Sequence, residues 1–142
     1  MFRIENGSWS QLGQDAKLIR TLVFMTEQNI SEQDEWDDQD EISQHFVVYH
    51  QDQAIATARL LQDHSVGRVA VKKEYRGQGI GLLIMLDIIV FAQQQCRPFL
   101  QLSSQVHAIS FYEKLGFIVK GSEYNECGIP HIEMMRPIME PI

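Results

Sequence analysis

Hydrophobic positions change their period several times along the 142 residues, and each change marks an element. Residues 2–5 can form a short strand, and Asn6, Gly7 and Ser8 carry turn chemistry. Leu12, Ala16, Ile19, Val23 and Phe24 then recur near helical spacing, which predicts an amphipathic helix over 10–28. The acidic stretch that follows reads as a loop or short helix. Residues 45–50 run as a strand, 51–53 turn, and 54–61 return as the antiparallel partner. Asp63 and His64 turn the chain into a third meander strand over 66–71. Three glycines then precede a stretch over 82–95 that is apolar on nearly every side, the pattern of a buried helix, with Pro98 beyond its end. A strand over 99–103, a helix over 106–115 capped by Gly116, a strand over 117–123, a turn and a last strand over 129–135 complete the order. The succession β-α-β-β-β-α-β-α-β-β predicts an α+β fold with a mostly antiparallel sheet, as one domain over 1–142.

Composition narrows the class. With 44% hydrophobic and 9% aromatic residues a core can form, so a disordered or low-complexity chain is excluded. The longest strongly apolar stretch, 79–92, contains Asp87 and is shorter than the roughly 20 residues a membrane span needs. No apolar segment follows a basic start at the amino terminus, so a secretory signal is not expected and the cytoplasm is the default location. Cys96 and Cys127 lack the spacing of a zinc or redox pair and read as buried or semi-exposed free thiols.

The net charge of −7, from 12 Lys and Arg against 19 Asp and Glu, argues against a nucleic-acid partner. The surplus is local: Glu32, Asp34, Glu35, Asp37, Asp38, Asp40 and Glu41 stand together without a base, and elsewhere the charges balance. This run is not a calcium loop, because the third position from Asp34 is Trp36 and the fifth from Asp38 is Ile42. No metal is expected.

Candidate chemistry begins at Arg76, Gly77, Gln78, Gly79, Ile80 and Gly81. Closely spaced amides at a helix start cradle an anion, and spacing separates the loops that do so. A P-loop needs Lys followed by Ser or Thr after its last glycine, whereas Leu82 and Leu83 follow here. A dinucleotide fingerprint needs a third glycine that Leu82 and Ile84 do not supply. The R-x-x-G-x-G pattern at the head of an apolar helix instead resembles the pyrophosphate loop of the GNAT N-acetyltransferase superfamily. Residues 108–117, Ala-Ile-Ser-Phe-Tyr-Glu-Lys-Leu-Gly-Phe, resemble that superfamily's later helix-to-strand segment. Further matches at Val23, Phe24, Glu27, Gln28, His45, 57–60, 67–71, Gln105 and 128–131 extend the resemblance over nearly the whole chain, in the ElaA/YjcF-like branch.

The resemblance implies a mixed, mostly antiparallel sheet with helices on both faces, and acetyl transfer from acetyl-CoA to a small-molecule or peptide amine. Amides of Gln78, Gly79, Ile80 and Gly81 would bind the CoA pyrophosphate, with Arg76, Gly77 and Gln105 in the same site. The edge formed by Val69, Ala70 and Val71 would pair with pantetheine. Tyr112 would be the acid for the leaving thiolate; the alternative is an aromatic packed on a helix face. Strand 66–71 lacks the carboxylate base of many relatives, so His131, Glu126 or His45 could order a water instead. His131 is therefore a catalytic candidate or a hydrogen-bonded strand residue. Arg59, on a strand with apolar alternate positions, is either a clamp for the acidic run or an acceptor anchor with Glu35, Asp40 and His45. Two rivals remain: an acyl-homoserine-lactone-synthase-like enzyme, suggested by Arg20, Phe24, Glu35, Asp37, Asp40 and Arg59, and a CoA-binding module without turnover. A homodimer is plausible by the resemblance.

Overall fold

The structure, a computed structural model, describes residues 1–138, apart from the side chain of Asp34; the last four residues of the expected domain lie outside it. Among the described residues seven strands form one sheet: β1 (Phe2–Gly7), β2 (Gln44–His50), β3 (Gln53–Leu60), β4 (Ser65–Val71), β5 (Phe99–Gln105), β6 (Ile118–Glu126) and β7 (Ile129–Pro137). Their order is β1-β2-β3-β4-β5-β7-β6, antiparallel throughout except between β4 and β5. The helices are α1 (Trp9–Arg20), the one-turn α2 (Glu32–Glu35), α3 (Ile80–Gln94) and α4 (Ile109–Glu113).

The strand period of two divides the side chains between two layers. On one face, Leu12 and Ile19 of α1 join Val23 and Phe24 against Val47, Tyr49, Ala54 and Ala70. On the other, Ile84, Met85, Ile88 and Ala92 of α3 cover Phe46, Val48, Ile55, Leu60 and Leu100.

Three sequence expectations are corrected. The helix expected over 10–28 is α-helical only to Arg20; Thr21–Glu27 is a π-helical turn, closed by the Gln28 N–H donating to the Val23 carbonyl at 3.1 Å. One more residue per turn lets the consecutive side chains of Val23 and Phe24 both reach the sheet, where both are buried. Helix α3 starts at Ile80 rather than Leu82, and it is not buried all round: Leu82, Leu86 and Val90 are each more than 40% exposed, because a helix laid on a sheet turns one stripe inward. The helix expected over 106–115 is a 3-10 turn, Val106–Ala108, followed by the short α4. Cys96 and Cys127 are both exposed.

Candidate active site

The parallel contact between β4 and β5 is short. Ser65 and Val66 register with Gln101 and Leu102, and beyond them the strands part. A cleft of about 960 Å³ fills the gap, walled by residues 66–71 of β4, 102–105 of β5, the π turn, α4 and the β6–β7 hairpin. A bulge sharpens the divergence: Thr57 registers with Ala70 but Arg59 with Gly67, so Arg68 is the extra residue, in left-handed conformation at φ 51°. Past Val66 the outer edge of β4, including Val69, Ala70 and Val71, faces the cleft and has no strand partner among the described residues.

The glycine loop opens at the end of that edge. Gly77 and Gly79 have φ of +79° and +78°, a region where side chains are strained, and a Cβ at either would meet nothing within 4 Å. Gly79 is the N-cap of α3, so the unpaired first-turn amides and the positive end of a fifteen-residue helix face that open space. An open anion cradle beside a free strand edge fits a ligand with a pyrophosphate at one end and amides along its length. Arg76, expected to serve the ligand, has its guanidinium held elsewhere: Nε donates to the Val71 carbonyl at 3.0 Å, and Nη1 and Nη2 pair with both carboxylate oxygens of Glu27.

Tyr112 and His131 both line the cleft. Tyr112 packs edge-to-face between Phe111 and Phe117, with centroids 5.0 and 5.8 Å away, and burial pushes its hydroxyl pKa up to about 12. The phenol stays protonated at neutral pH. His131 Nδ1 lies 2.7 Å from the Ile129 carbonyl, which can only accept, so Nδ1 carries the hydrogen and Nε2 has the lone pair in the neutral ring. Nε2 is 3.5 Å from a Glu126 carboxylate oxygen, which would stabilise the ring once it takes a proton. Gln105, the β5 register partner of His131, also lines the cleft, and its side-chain oxygen accepts from His107 at 2.7 Å.

The acceptor residues expected around Arg59 are split. Glu35 lines the cleft, but Arg59, Asp40 and His45 do not. They form a buried charge layer behind it. Arg59 Nη1 reaches Asp37 at 2.7 Å and Asp40 at 2.9 Å; Arg20 reaches Glu35 at 2.6 Å and Asp40 at 2.7 Å. Arg68, turned by its bulge, donates to the Glu35 carbonyl at 3.0 Å. Burial would lower the Arg59 pKa, yet Asp37 and Asp40 hold it above the usual value; the Arg59 guanidinium in turn draws Asp37 down to about 2. His45 Nε2 donates to the Asp40 carbonyl at 2.8 Å, and burial lowers its pKa. Asp40 and Asp37 instead line a second cavity, of about 650 Å³, with Trp9 and Trp36. The role of Arg68 had no sequence signal, because a bulge is invisible in a run such as 66–71.

Comparison with known proteins agrees with this geometry. The acetyltransferase (GNAT) domain model matches residues 16–137. The chain is 32% identical over 126 residues to the N-acetyltransferase YjcF of Bacillus subtilis, itself uncharacterized, covering 86% of this chain and 90% of that protein. The crystal structure of Escherichia coli ElaA superposes with a TM-score of 0.84 at 31% identity, covering 96% of this chain and 99% of that one. An acyl-CoA N-acyltransferase from Pseudomonas aeruginosa gives a TM-score of 0.87 at 28% identity, covering 96% and 99%. A helix-capping glycine loop at the end of a splayed β4, in a chain with these relatives, makes the protein a member of the GNAT acetyltransferase family.

Proposed function

We propose that this GNAT enzyme transfers an acetyl group from acetyl-CoA to a primary amine by direct attack, with the donor lying along β4 and its pyrophosphate on the amides of residues 78–81. The observation that carries the reading is one shared cleft: the open glycine cradle, the free β4 edge, Tyr112 and His131 all line it or border it. The amine must lose protons to attack and form an amide, and the departing sulfur must gain one. His131 Nε2 takes a proton from the attacking nitrogen, and the imidazolium so formed stands beside the Glu126 carboxylate. Tyr112 donates its hydroxyl hydrogen bond to the sulfur as the C–S bond breaks. With a pKa near 12 against about 8.5 for a thiol, full transfer from the phenol is uphill, so its part is to stabilise the thiolate until it takes up the proton that the amine released to His131. Backbone N–H groups of residues 69–71 polarise the thioester carbonyl.

Glu35 and the layer behind it shape the acceptor side, and Arg59, Asp40 and His45 act on it through position rather than contact. The same paired charges account for the charged residues that resembled a homoserine-lactone synthase, while the R-x-x-G-x-G pattern of residues 76–81 favours the acetyltransferase reading. An acyl-CoA donor also favours action in the cytoplasm. The test incubates the protein with acetyl-CoA and a panel of amines, reading free thiol and acetylated product together. Stoichiometric thiol and N-acetyl product is the expected result. CoA binding without either product with every amine would leave the chain a binding module.

A further inference from the structure

Three strands meet around His131. On β7 it registers with Gln105 of β5 on one side and with Tyr124 of β6 on the other, so the three side chains stand in one row on the same face of the sheet. The orientation of the His131 ring decides which atom offers a lone pair, and the bond from Nδ1 to the Ile129 carbonyl sets it only in part. The torsion that turns an imidazole about its Cβ–Cγ bond is broad and roughly two-fold, so one hydrogen bond leaves the plane loose. Tyr124 supplies the second constraint. Its ring lies against the imidazole with 6.2 Å between centroids and 28° between planes, an offset stack within the range where aromatic pairs attract. A flat neighbour fixes the plane but not the edge, whereas the carbonyl selects the edge but not the plane. Together they leave one orientation, with Nε2 3.5 Å from Glu126.

Burial does not hold Tyr124 itself. Every residue of β6 is exposed, and Tyr124 is 36% exposed on the last strand of the sheet. Its hydroxyl is instead hydrogen-bonded to the Ser103 hydroxyl of β5, a residue that registers with Glu133 of β7. The bond therefore passes over β7 and closes the tyrosine across the strand that carries His131. We infer that Tyr124, tied down by Ser103, is a positioning residue that keeps the His131 imidazole in the orientation proton transfer needs. The inference rests on the reading of His131 as the base that takes the amine proton. Tyr124 acts through that ring and not on the substrate, since among the described residues His131, Glu126 and Ser103 line the cleft and Tyr124 does not.

Imidazole nitrogen NMR of the protein alone, at about pH 8.5 where a histidine of ordinary pKa is neutral, reads the tautomer without turnover. His131→Gln identifies its signals among the five histidines. The wild type should carry the His131 hydrogen on Nδ1 alone, and Tyr124→Leu should show a mixture of the two tautomers. With acetyl-CoA and n-butylamine, lysinamide or spermidine, kcat should fall about two- to tenfold in Tyr124→Leu, the range expected for one lost aromatic pair, with the acetyl-CoA KM unchanged. Tyr124→Phe keeps the ring and should recover most of that loss. Ser103→Ala removes the other hydroxyl of the same bond and should match Tyr124→Phe in tautomer and rate, an arm that does not depend on the leucine variant folding. A wild-type tautomer in Tyr124→Leu, unequal effects of the two hydroxyl deletions, or an unchanged kcat in Tyr124→Leu where His131→Gln has lost turnover would each overturn the inference. Wild-type kcat in His131→Gln would instead sink the base reading and leave the placing of the ring to be judged by the tautomer.

Discussion

Glu27 and Arg76 meet in a two-point contact at the mouth of the cleft, Oε2 to Nη1 at 2.5 Å and Oε1 to Nη2 at 2.7 Å. One residue ends the π turn of the α1 layer and the other begins the loop that leads into α3. The pair thus ties the two sides of the sheet together beside the glycine loop. Hydrogen bonding to Arg76 holds the Glu27 carboxyl below its usual pKa, so it is ionised there at neutral pH.

The two halves of that pair should respond unequally. Arg76→Ala leaves a bare carboxylate beside the pyrophosphate position and should weaken acetyl-CoA about tenfold, a loss that rising salt reduces. Glu27→Gln leaves a free cation and should hold or tighten the donor. Titration of acetyl-CoA into both variants decides it: equal weakening would mean that the pair acts by position and not by charge. Both variants should melt within a few degrees of the wild type, since exposed pairs contribute about 0.2–1 kcal/mol.

Gly79→Val should abolish acetyl-CoA binding, because the side chain would project into the open cradle from a backbone at φ +78°. The strain alone costs about 1–2 kcal/mol, so a control with the same strain is needed. Gly121, on β6 at φ +80° with equally open surroundings, supplies it. Gly121→Val should lose similar thermal stability while its acetyl-CoA affinity is unchanged. Equal affinities in the two valine variants would remove the loop from the donor site.

Tyr112→Phe keeps the packing against Phe111 and Phe117 and deletes only the hydroxyl. Turnover should fall by about 10² or more, with acetyl-CoA affinity nearly intact. A kcat equal to that of the wild type under chemistry-limited conditions would make Tyr112 a packing residue.

Removing Arg59 should act first on stability. Arg59→Met strips Asp37 and Asp40 of a buried partner, and loss of one member of a buried pair costs about 3–5 kcal/mol. For a chain of this size that is a fall in Tm of roughly 10 °C. The donor Kd should not change, and acceptor kinetics should change only through the displaced acidic segment. A selective rise in acceptor KM at wild-type Tm would instead give Arg59 a direct contact.

The same layer makes stability depend on pH in two windows. His45 has a folded pKa below its ordinary 6.5, so the unfolded chain binds its proton first, and stability present above about 6.5 declines as pH falls through the folded value. Asp37 works lower: its folded value of about 2 lies under the unfolded 3.8, so its contribution is full above 3.8 and is lost towards pH 2. Urea unfolding at stepped pH should therefore show His45→Gln, which keeps a donor for the Asp40 carbonyl, missing the first decline and Asp37→Asn missing the second. A wild-type profile flat from pH 7 to 5 would remove His45 from the account.

Much of this molecule was determined by local sequence. The alternation over 45–50 and 54–61, the turn between them and the glycines of 77–81 act through neighbouring residues, whose steric and hydrogen-bonding preferences do not need the rest of the chain. The glycine pattern marked the head of α3 for the same reason, since closely spaced backbone amides at a helix start are a property of a few consecutive residues. Tertiary structure decided the rest. Whether Thr21–Glu27 continues α1 or widens into a π turn depends on what Val23 and Phe24 must reach on the sheet. The bulge at Arg68 depends on the register of β3, and the cleft depends on β4 parting from β5 after two residues. Arg59 was visible as a charge that needed a partner, but the side of the cleft wall on which it met Asp37 and Asp40 was set by chain segments more than fifteen residues away. Pairing energies between distant segments are absent from any local window, and here they decide which charged groups face the cleft and which lie buried behind it.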